Sequence, residues 1–117
     1  MKAVYWIGSS LEDLKEFPDE VKSIAGYAIY LAQTGSIHPN SKPLKGYGGA
    51  GVIELVERYS GNAYRVVYAT KFKRVVYVLH AFQKKSKTGI ATPKQEIDLI
   101  NSRLKLAAEH FESKHKK

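Results

Sequence analysis

Three segments with strand character follow one another closely in the second half of the chain, and they constrain the fold more than any other feature. They span residues 52–59, 64–70 and 74–82 and are rich in β-branched and aromatic residues. The links between them, residues 60–63 and 71–73, are short enough for hairpins. The pattern therefore predicts an antiparallel meander. The third segment, RVVYVLHAF, is apolar almost throughout, which predicts a central strand covered on both faces.

The first third of the chain predicts one more strand and two helices. Residues 3–7 (AVYWI) form a short β-branched and aromatic run. Ser9 and Ser10 can cap a short helical turn. A longer helix is predicted from Pro18 to about Thr34, because its apolar residues recur at spacings of three and four. Gly35 supplies the left-handed residue that ends such a helix.

A glycine-rich loop and a final helix complete the order of elements. Residues 36–51 hold four of the nine glycines and two of the four prolines, which predicts a loop long enough to be functional. Thr92 to Gln95 have the form of a capping box with proline at the first helical position, and an amphipathic helix follows. We expect an α+β fold with an antiparallel sheet, helices on one face and the other face partly open.

The composition indicates a single folded domain. A chain of 117 residues with 44% hydrophobic residues suffices for one core. We assign residues 1–113 to the domain and 114–117 to a basic tail. The absence of cysteine excludes disulfides, thiolate metal sites and a cysteine nucleophile. No apolar run approaches the roughly 18–20 residues that span a bilayer, and the N-terminal segment turns acidic, so we expect a soluble cytoplasmic protein.

The positive charge is concentrated in the second half of the chain. The net charge is −1 over residues 1–60 and +9 over residues 61–117. No acidic residue lies between Glu57 and Glu96, although many basic residues do. Such an asymmetry is typical of a surface that binds nucleic acid, because each phosphate that is neutralised releases counterions. The alternative is an ordinary solvated surface.

Five short stretches together carry a resemblance to a known family. They are KG at 45–46, GVIEL at 51–55, YRVVY at 64–68, VYVLHAFQKKSK at 76–87 and TP at 92–93. In these stretches the chain resembles the phage-derived HigB-like branch of the RelE/ParE toxin superfamily. The resemblance implies a RelE-like microbial RNase fold and a type II toxin that cleaves messenger RNA in the ribosomal A site, inhibiting translation. It also implies a helix-turn-helix, HigA-like antitoxin that can carry the complex to operator DNA, and no cofactor.

The chemistry of metal-free RNA cleavage indicates four candidate catalytic residues. The protein must accept the 2′-hydroxyl proton, stabilise charge on the phosphorane and protonate the leaving 5′-oxygen. Arg65, in the middle of a strand, is the predicted phosphate clamp; the alternative is an ion pair with Glu54, and both can hold together. Lys84 and Lys85, after the central strand, can hold phosphate or donate a proton. His80 is the natural base, or else a packed core histidine.

A wider set of residues is predicted to bind RNA. Lys45 and Tyr47, in the glycine-rich loop, can reach the RNA backbone and stack on a base; a solvated lysine on an adjustable loop is the alternative. Tyr64 and Tyr68 flank Arg65 at odd spacing and are expected in the core behind it. The complete RNA-binding set is Lys45, Tyr47, Arg58, Lys71, Lys73, Arg74, Gln83 and Lys87.

Two other functions remain open from the sequence. A ParE-like poison of DNA gyrase would share the fold but act by binding. A non-catalytic RNA-binding module would keep the basic face without the chemistry. A nucleotide-binding loop is not supported, because the glycines at 46–51 lack a preceding strand and a following helix. A two-metal nuclease is also disfavoured, since carboxylates are sparse in the basic half.

Overall fold

A computed structural model describes residues 1–48, 51–84 and 92–115, with the backbone alone for residues 84 and 115. It contains one mixed sheet and three helices. In the described part of the chain, no helix has the length and apolar character needed to cross a membrane. The elements in chain order are β1 (Ala3–Trp6), α1 (Ser10–Lys15), α2 (Asp19–Gln33), β2 (Ser41–Pro43), β3 (Val52–Tyr59), β4 (Asn62–Ala69), β5 (Val75–Lys84) and α3 (Lys94–His115).

The five strands lie in the order β1-β5-β4-β3-β2. The predicted meander of β3, β4 and β5 is confirmed, with antiparallel pairing throughout. β1 pairs with β5 in parallel, so the sheet is mixed and not antiparallel throughout as predicted. β5 is an interior strand, although β4 takes the middle position. The loop predicted at 36–51 contains the short edge strand β2, which pairs antiparallel with β3. Its sequence, Ser-Lys-Pro, carries no apolar alternation that could have predicted a strand.

Helices cover both faces of the sheet, so the prediction of helices on one face alone was wrong. Val66 packs in the cluster beneath α1 and α2, whereas its neighbour Val67 packs with Ile100 of α3 on the other side. The helical pattern of α3 predicted that this helix covers a sheet, but not which face. α3 leaves the β2–β3 edge of its face accessible, where Lys42 and Arg58 are exposed. α3 also continues to His115, beyond the predicted start of the tail.

A β-bulge in β5 changes which residues face α3. Val67 pairs with His80 whereas Tyr68 pairs with Val78, so Leu79 is an extra residue in the ladder. The carbonyl oxygen of Leu79 accepts a hydrogen bond from Arg103 of α3 at 3.0 Å. The bulge therefore fixes the position of His80 relative to α3.

Gly51 allows the start of β3 to approach the link between β4 and β5. Its φ is +78°, and a Cβ added there would lie 2.9 Å from the backbone nitrogen of Lys71. The carbonyl oxygen of Gly51 also accepts a hydrogen bond from the Thr70 nitrogen at 2.7 Å. This close approach holds the link in place.

Gly51→Ala is expected to lower the free energy of unfolding by about 2–4 kcal/mol, because left-handed strain and a backbone clash add together. Gly61→Ala is the matched control, since Gly61 has φ +80° but nothing within 4 Å of its added Cβ. The control carries only the strain and should lose about 1 kcal/mol. Urea unfolding of both variants measures the difference. Equal losses would show that the contact with Lys71 contributes nothing.

Candidate functional site

Arg65 lies on β4 in a buried ion pair with Glu54 of β3. The Nη1 atom of Arg65 and Oε2 of Glu54 are 2.8 Å apart, and the side chains are only 6% and 4% exposed. Arg65 is opposite Val56 and Glu54 is opposite Val67, so the two side chains lie diagonally across neighbouring strands. The ion pair given above as the alternative for Arg65 is therefore confirmed. The carboxylate fixes the direction of the guanidinium group.

Thr92, in the segment that precedes α3, forms hydrogen bonds with both members of this ion pair. Its hydroxyl donates to Oε2 of Glu54 at 3.0 Å and accepts from Nη1 of Arg65 at 3.4 Å. The sequence predicted Thr92 as a helix cap; its hydroxyl also serves the ion pair. No local pattern could reveal this role, because Thr92 is 38 residues from Glu54 in the chain.

Arg65 borders a small cleft at the edge of the sheet that α3 leaves accessible. The cleft has a volume of about 250 Å³, and its lining includes Arg65, Arg58 and Lys42 together with Val56 and Asn40. Arg58 and Lys42 are exposed. Lys42 was not among the predicted site residues, because its strand β2 was not predicted. Three cationic side chains therefore line one cleft; the charge of Arg65 is balanced by Glu54, whereas Arg58 and Lys42 can attract phosphate groups.

The end of β5 lies at the same end of the sheet as this cleft. The backbone of Lys84 pairs with Ala63, and Ala63 pairs on its other side with Arg58. Gln83 is exposed and pairs with Tyr64. The predicted residues Lys85 and Lys87 lie outside the described residues, and their assignment stays a prediction.

His80 is buried in a network that uses both of its ring nitrogens. Nε2 lies 2.6 Å from Oε1 of Glu96, and Nδ1 lies 3.4 Å from Nη1 of Arg103. Glu96 and Arg103 therefore each engage one ring nitrogen, and the Glu96 contact is the shorter of the two. The ring also stacks on Phe82, with centroids 4.6 Å apart. This geometry favours the packed histidine over a general base.

The predicted RNA-binding residues fall into two groups. Lys71, Lys73 and Arg74 are exposed in the link between β4 and β5, whereas Arg58 and Arg65 lie toward the opposite end of the strands. β5 has ten residues and so separates the two ends by roughly 30 Å. The structure therefore does not bring all the predicted cations into one cleft.

Tyr47 is held in place by the packing of its ring and by a hydrogen bond from its hydroxyl group. The ring is half-buried against the cluster beneath α3, and its hydroxyl donates to Oδ1 of Asn101. Burial raises the pKa of Tyr47. Lys45, two residues before it, is exposed. The structure thus places neither residue in the lining of the Arg65 cleft.

Tyr64 and Tyr68 lie on the face opposite to Arg65, as predicted. Both are buried in the cluster beneath α1 and α2. Tyr68 donates from its hydroxyl to Ser41 at 3.0 Å, and burial raises its pKa. Among the described residues, no group of three or more histidine, aspartate or glutamate side chains is placed to hold a metal ion.

Comparison with known proteins identifies one family. The family described as "Phage derived protein Gp49-like (DUF891)" matches residues 12–105, which is most of the chain and includes Glu54, Arg65 and Thr92. No curated protein matches the chain.

Proposed function

The chain belongs to the phage-derived Gp49-like family, a RelE-like toxin family of toxin–antitoxin systems, and on this premise we propose that it is an endoribonuclease that cleaves messenger RNA on the ribosome. Within the superfamily we place it in the HigB-like branch. The observation that carries the proposal is the buried, oriented guanidinium of Arg65 at a cleft that also holds Arg58 and Lys42.

The proposed reaction is a transesterification within the RNA. The 2′-oxygen attacks the adjacent phosphorus, and the bond from phosphorus to the 5′-oxygen breaks. The 2′-hydroxyl proton passes to a base, and the leaving 5′-oxygen takes a proton from an acid. The products are a 2′,3′-cyclic phosphate and a 5′-hydroxyl. Negative charge grows on the non-bridging phosphate oxygens before the bond breaks, and these oxygens are what the protein must stabilise.

Arg65 is proposed as the clamp on those oxygens. Its Nη1 atom already donates to Glu54 and Thr92, so the proposed phosphate contacts use other donors of its fork of N–H groups, and the ion pair holds the fork in one direction before substrate arrives. A group that is already oriented does not reorganise during the reaction, which makes its contribution larger than that of an exposed arginine. Arg58 and Lys42 are proposed to hold the flanking phosphates.

The proton transfers are proposed for the residues at the end of β5. The backbone of Lys84 pairs with Ala63, which pairs in turn with the cleft residue Arg58, and Lys85 follows it in the chain. A lysine ammonium carries a proton that it can donate to a leaving oxygen, which is the role proposed for one of these two residues. We assign His80 to the support of this end of the sheet, since Glu96 and Arg103 engage its ring.

We also propose that the reaction depends on the ribosome and is controlled by an antitoxin. A cleft of about 250 Å³ holds little more than one phosphate with its sugar, so the alignment of the 2′-hydroxyl has to come from elsewhere. The ribosomal A site can supply it, which places the toxin in the cytoplasm. The proposed inhibitor is a helix-turn-helix, HigA-like antitoxin, whose complex with the toxin binds operator DNA.

The products of the reaction test this proposal directly. Ribosomes programmed with a defined messenger RNA and incubated with the protein should yield upstream fragments with a 2′,3′-cyclic phosphate and downstream fragments with a 5′-hydroxyl. A single 2′-deoxy substitution at the cleaved nucleotide should abolish the cut, because it removes the nucleophile. Primer extension and end-group analysis measure both results.

Three outcomes would contradict the proposal. A 5′-phosphate on the downstream fragment would indicate attack by water instead of the 2′-oxygen. Persistent cleavage of the 2′-deoxy substrate would also show that the 2′-oxygen is not the nucleophile. Intact messenger RNA together with inhibited gyrase supercoiling would support the ParE-like alternative.

A further inference from the structure

We propose that the protein has a second RNA-binding site, a basic groove at the end of the sheet opposite to the Arg65 cleft, which grips the phosphodiester backbone away from the cleaved linkage. The groove has a volume of about 630 Å³. It shares with the proposed function the premise that RNA is the ligand, but binding there does not require cleavage. Its lining includes Lys2, Gln33, Lys71, Phe72, Lys73 and Arg74.

The charge of the groove is positive and uncompensated. Four of its lining residues are cations, and none of the lining residues is acidic. Within the described part of the chain, none of Lys2, Lys71, Lys73 and Arg74 forms an ion pair; the ion pairs there use other lysine, arginine and histidine side chains. Unpaired cations in a concave surface attract a polyanion strongly, because their fields add within the groove.

The turn that carries three of these cations is held rigidly. Phe72 is buried between Tyr77 and Phe111, with ring centroids 5.1 Å and 5.2 Å away. The residues on either side, Lys71 and Lys73, are exposed. Arg74 adopts φ +67°, an uncommon conformation for a residue with a side chain. An inward aromatic anchor thus presents outward cations at fixed positions, which lowers the entropy lost on binding.

The opposite wall of the groove is the C-terminal end of α2, and its carbonyl oxygens do not repel an anion. The last carbonyl oxygens of a helix carry partial negative charge unless they are satisfied. Here the carbonyl of Gln33 accepts from the Lys2 nitrogen at 3.1 Å, and that of Ala32 accepts from the Gly35 nitrogen at 3.1 Å. The side chain of Gln33 also donates to the Lys2 carbonyl at 2.7 Å. This end of α2 is therefore closed by hydrogen bonds and tied to the chain that carries Lys2.

RNA fits the groove better than an acidic protein segment. Protein interfaces depend on apolar and aromatic anchors at their centre, but the aromatic ring that lines this groove, Phe72, is only 8% exposed. Phosphate contacts need only cations and donors, which the groove supplies. The separation of roughly 30 Å from the other end of β5 means that one folded RNA can occupy both ends of the sheet.

A binding experiment with uncleavable RNA tests the groove. The probe is a fluorescent, uniformly 2′-O-methylated RNA hairpin, which lacks the nucleophile, and its affinity is measured by anisotropy at several salt concentrations. The test variant is Lys71→Gln/Lys73→Gln. The matched control is Lys15→Gln/Lys105→Gln, which removes the same charge from exposed positions on α1 and α3. Melting temperatures confirm that both variants are folded.

The groove variant should bind the hairpin about 10–30-fold more weakly, and the slope of log K against log salt should fall by roughly 1.5, as expected for two lost phosphate contacts. The control should change affinity by less than about twofold. Equal losses in the two variants would overturn the proposal in favour of unspecific attraction. An unchanged affinity for RNA, with weaker binding to polyglutamate, would overturn it in favour of an acidic protein segment. A wild-type protein that binds the hairpin but leaves messenger RNA on programmed ribosomes uncut would overturn the proposed function and leave the groove intact.

Discussion

Replacing Glu54 with alanine is expected to lower the free energy of unfolding by about 3–5 kcal/mol, because it leaves the buried guanidinium of Arg65 without its carboxylate. Both side chains are almost inaccessible to water, so solvent cannot take over the role of the lost partner. Arg65→Ala should cost a similar amount by leaving the carboxylate buried. Urea or thermal unfolding measures both losses. A loss below about 1 kcal/mol in Glu54→Ala would show that water reaches the pair freely.

The double variant Glu54→Leu/Arg65→Met separates the structural role of the pair from its chemical role. Replacing a buried ion pair with apolar residues of similar volume is often neutral or stabilising, because it removes the cost of desolvating two charges. We therefore expect the double variant to regain most of the stability that either single variant loses. Its cleavage should stay abolished, since the phosphate clamp is gone. Cleavage by a stable double variant would show that Arg65 has only a structural role.

The elements that could be predicted from the sequence are those that local patterns determine. β3 begins and ends at the predicted residues, and α2 matches within a residue at each end. Gly35 adopts φ +88°, as a residue that ends a helix often does. These features depend on periodicity and on backbone preferences, which neighbouring residues in the chain reveal.

The features that could not be predicted depend on long-range packing. An amphipathic pattern shows that α3 has an apolar side, but the choice of sheet face depends on how the whole chain closes. β2 is a strand only because β3 offers it a partner, and its residues carry no pattern of their own. The bulge at Leu79 is likewise visible only in the pairing of β4 with β5.

The residues of the candidate site also divide into those that local patterns predict and those that depend on long-range packing. Arg65 and its partner Glu54 could be named because both lie on strands whose pairing was predicted. Thr92 could not, because it lies 38 residues from Glu54 in the chain, and Lys42 could not, because its strand β2 was not predicted. Lys71, Lys73 and Arg74 are exposed, as a basic surface requires, but the sequence gives no distance between Lys71 and Arg65 before the length of the strands is known.

Arg65→Lys is expected to lower the rate of messenger RNA cleavage on the ribosome by about 10²–10³-fold, the usual loss when one oriented donor of a transition state is removed. Lysine keeps the positive charge and can keep an ion pair with Glu54, so the protein should remain folded. It loses the planar fork that matches two phosphate oxygens. Since the fork acts on charge that develops during the reaction, kcat should fall while KM changes little.

Arg58→Lys is the matched control, because Arg58 is an exposed arginine on the same cleft and the substitution is identical. An exposed cation that holds a flanking phosphate acts mainly as a point charge, so this variant should lose less than about threefold in rate. Single-turnover cleavage with saturating programmed ribosomes measures both variants. Equal, small losses of cleavage rate in both variants would show that neither arginine is the transition-state contact. A large loss only in Arg58→Lys would move the clamp to the exposed arginine and leave Arg65 as its support.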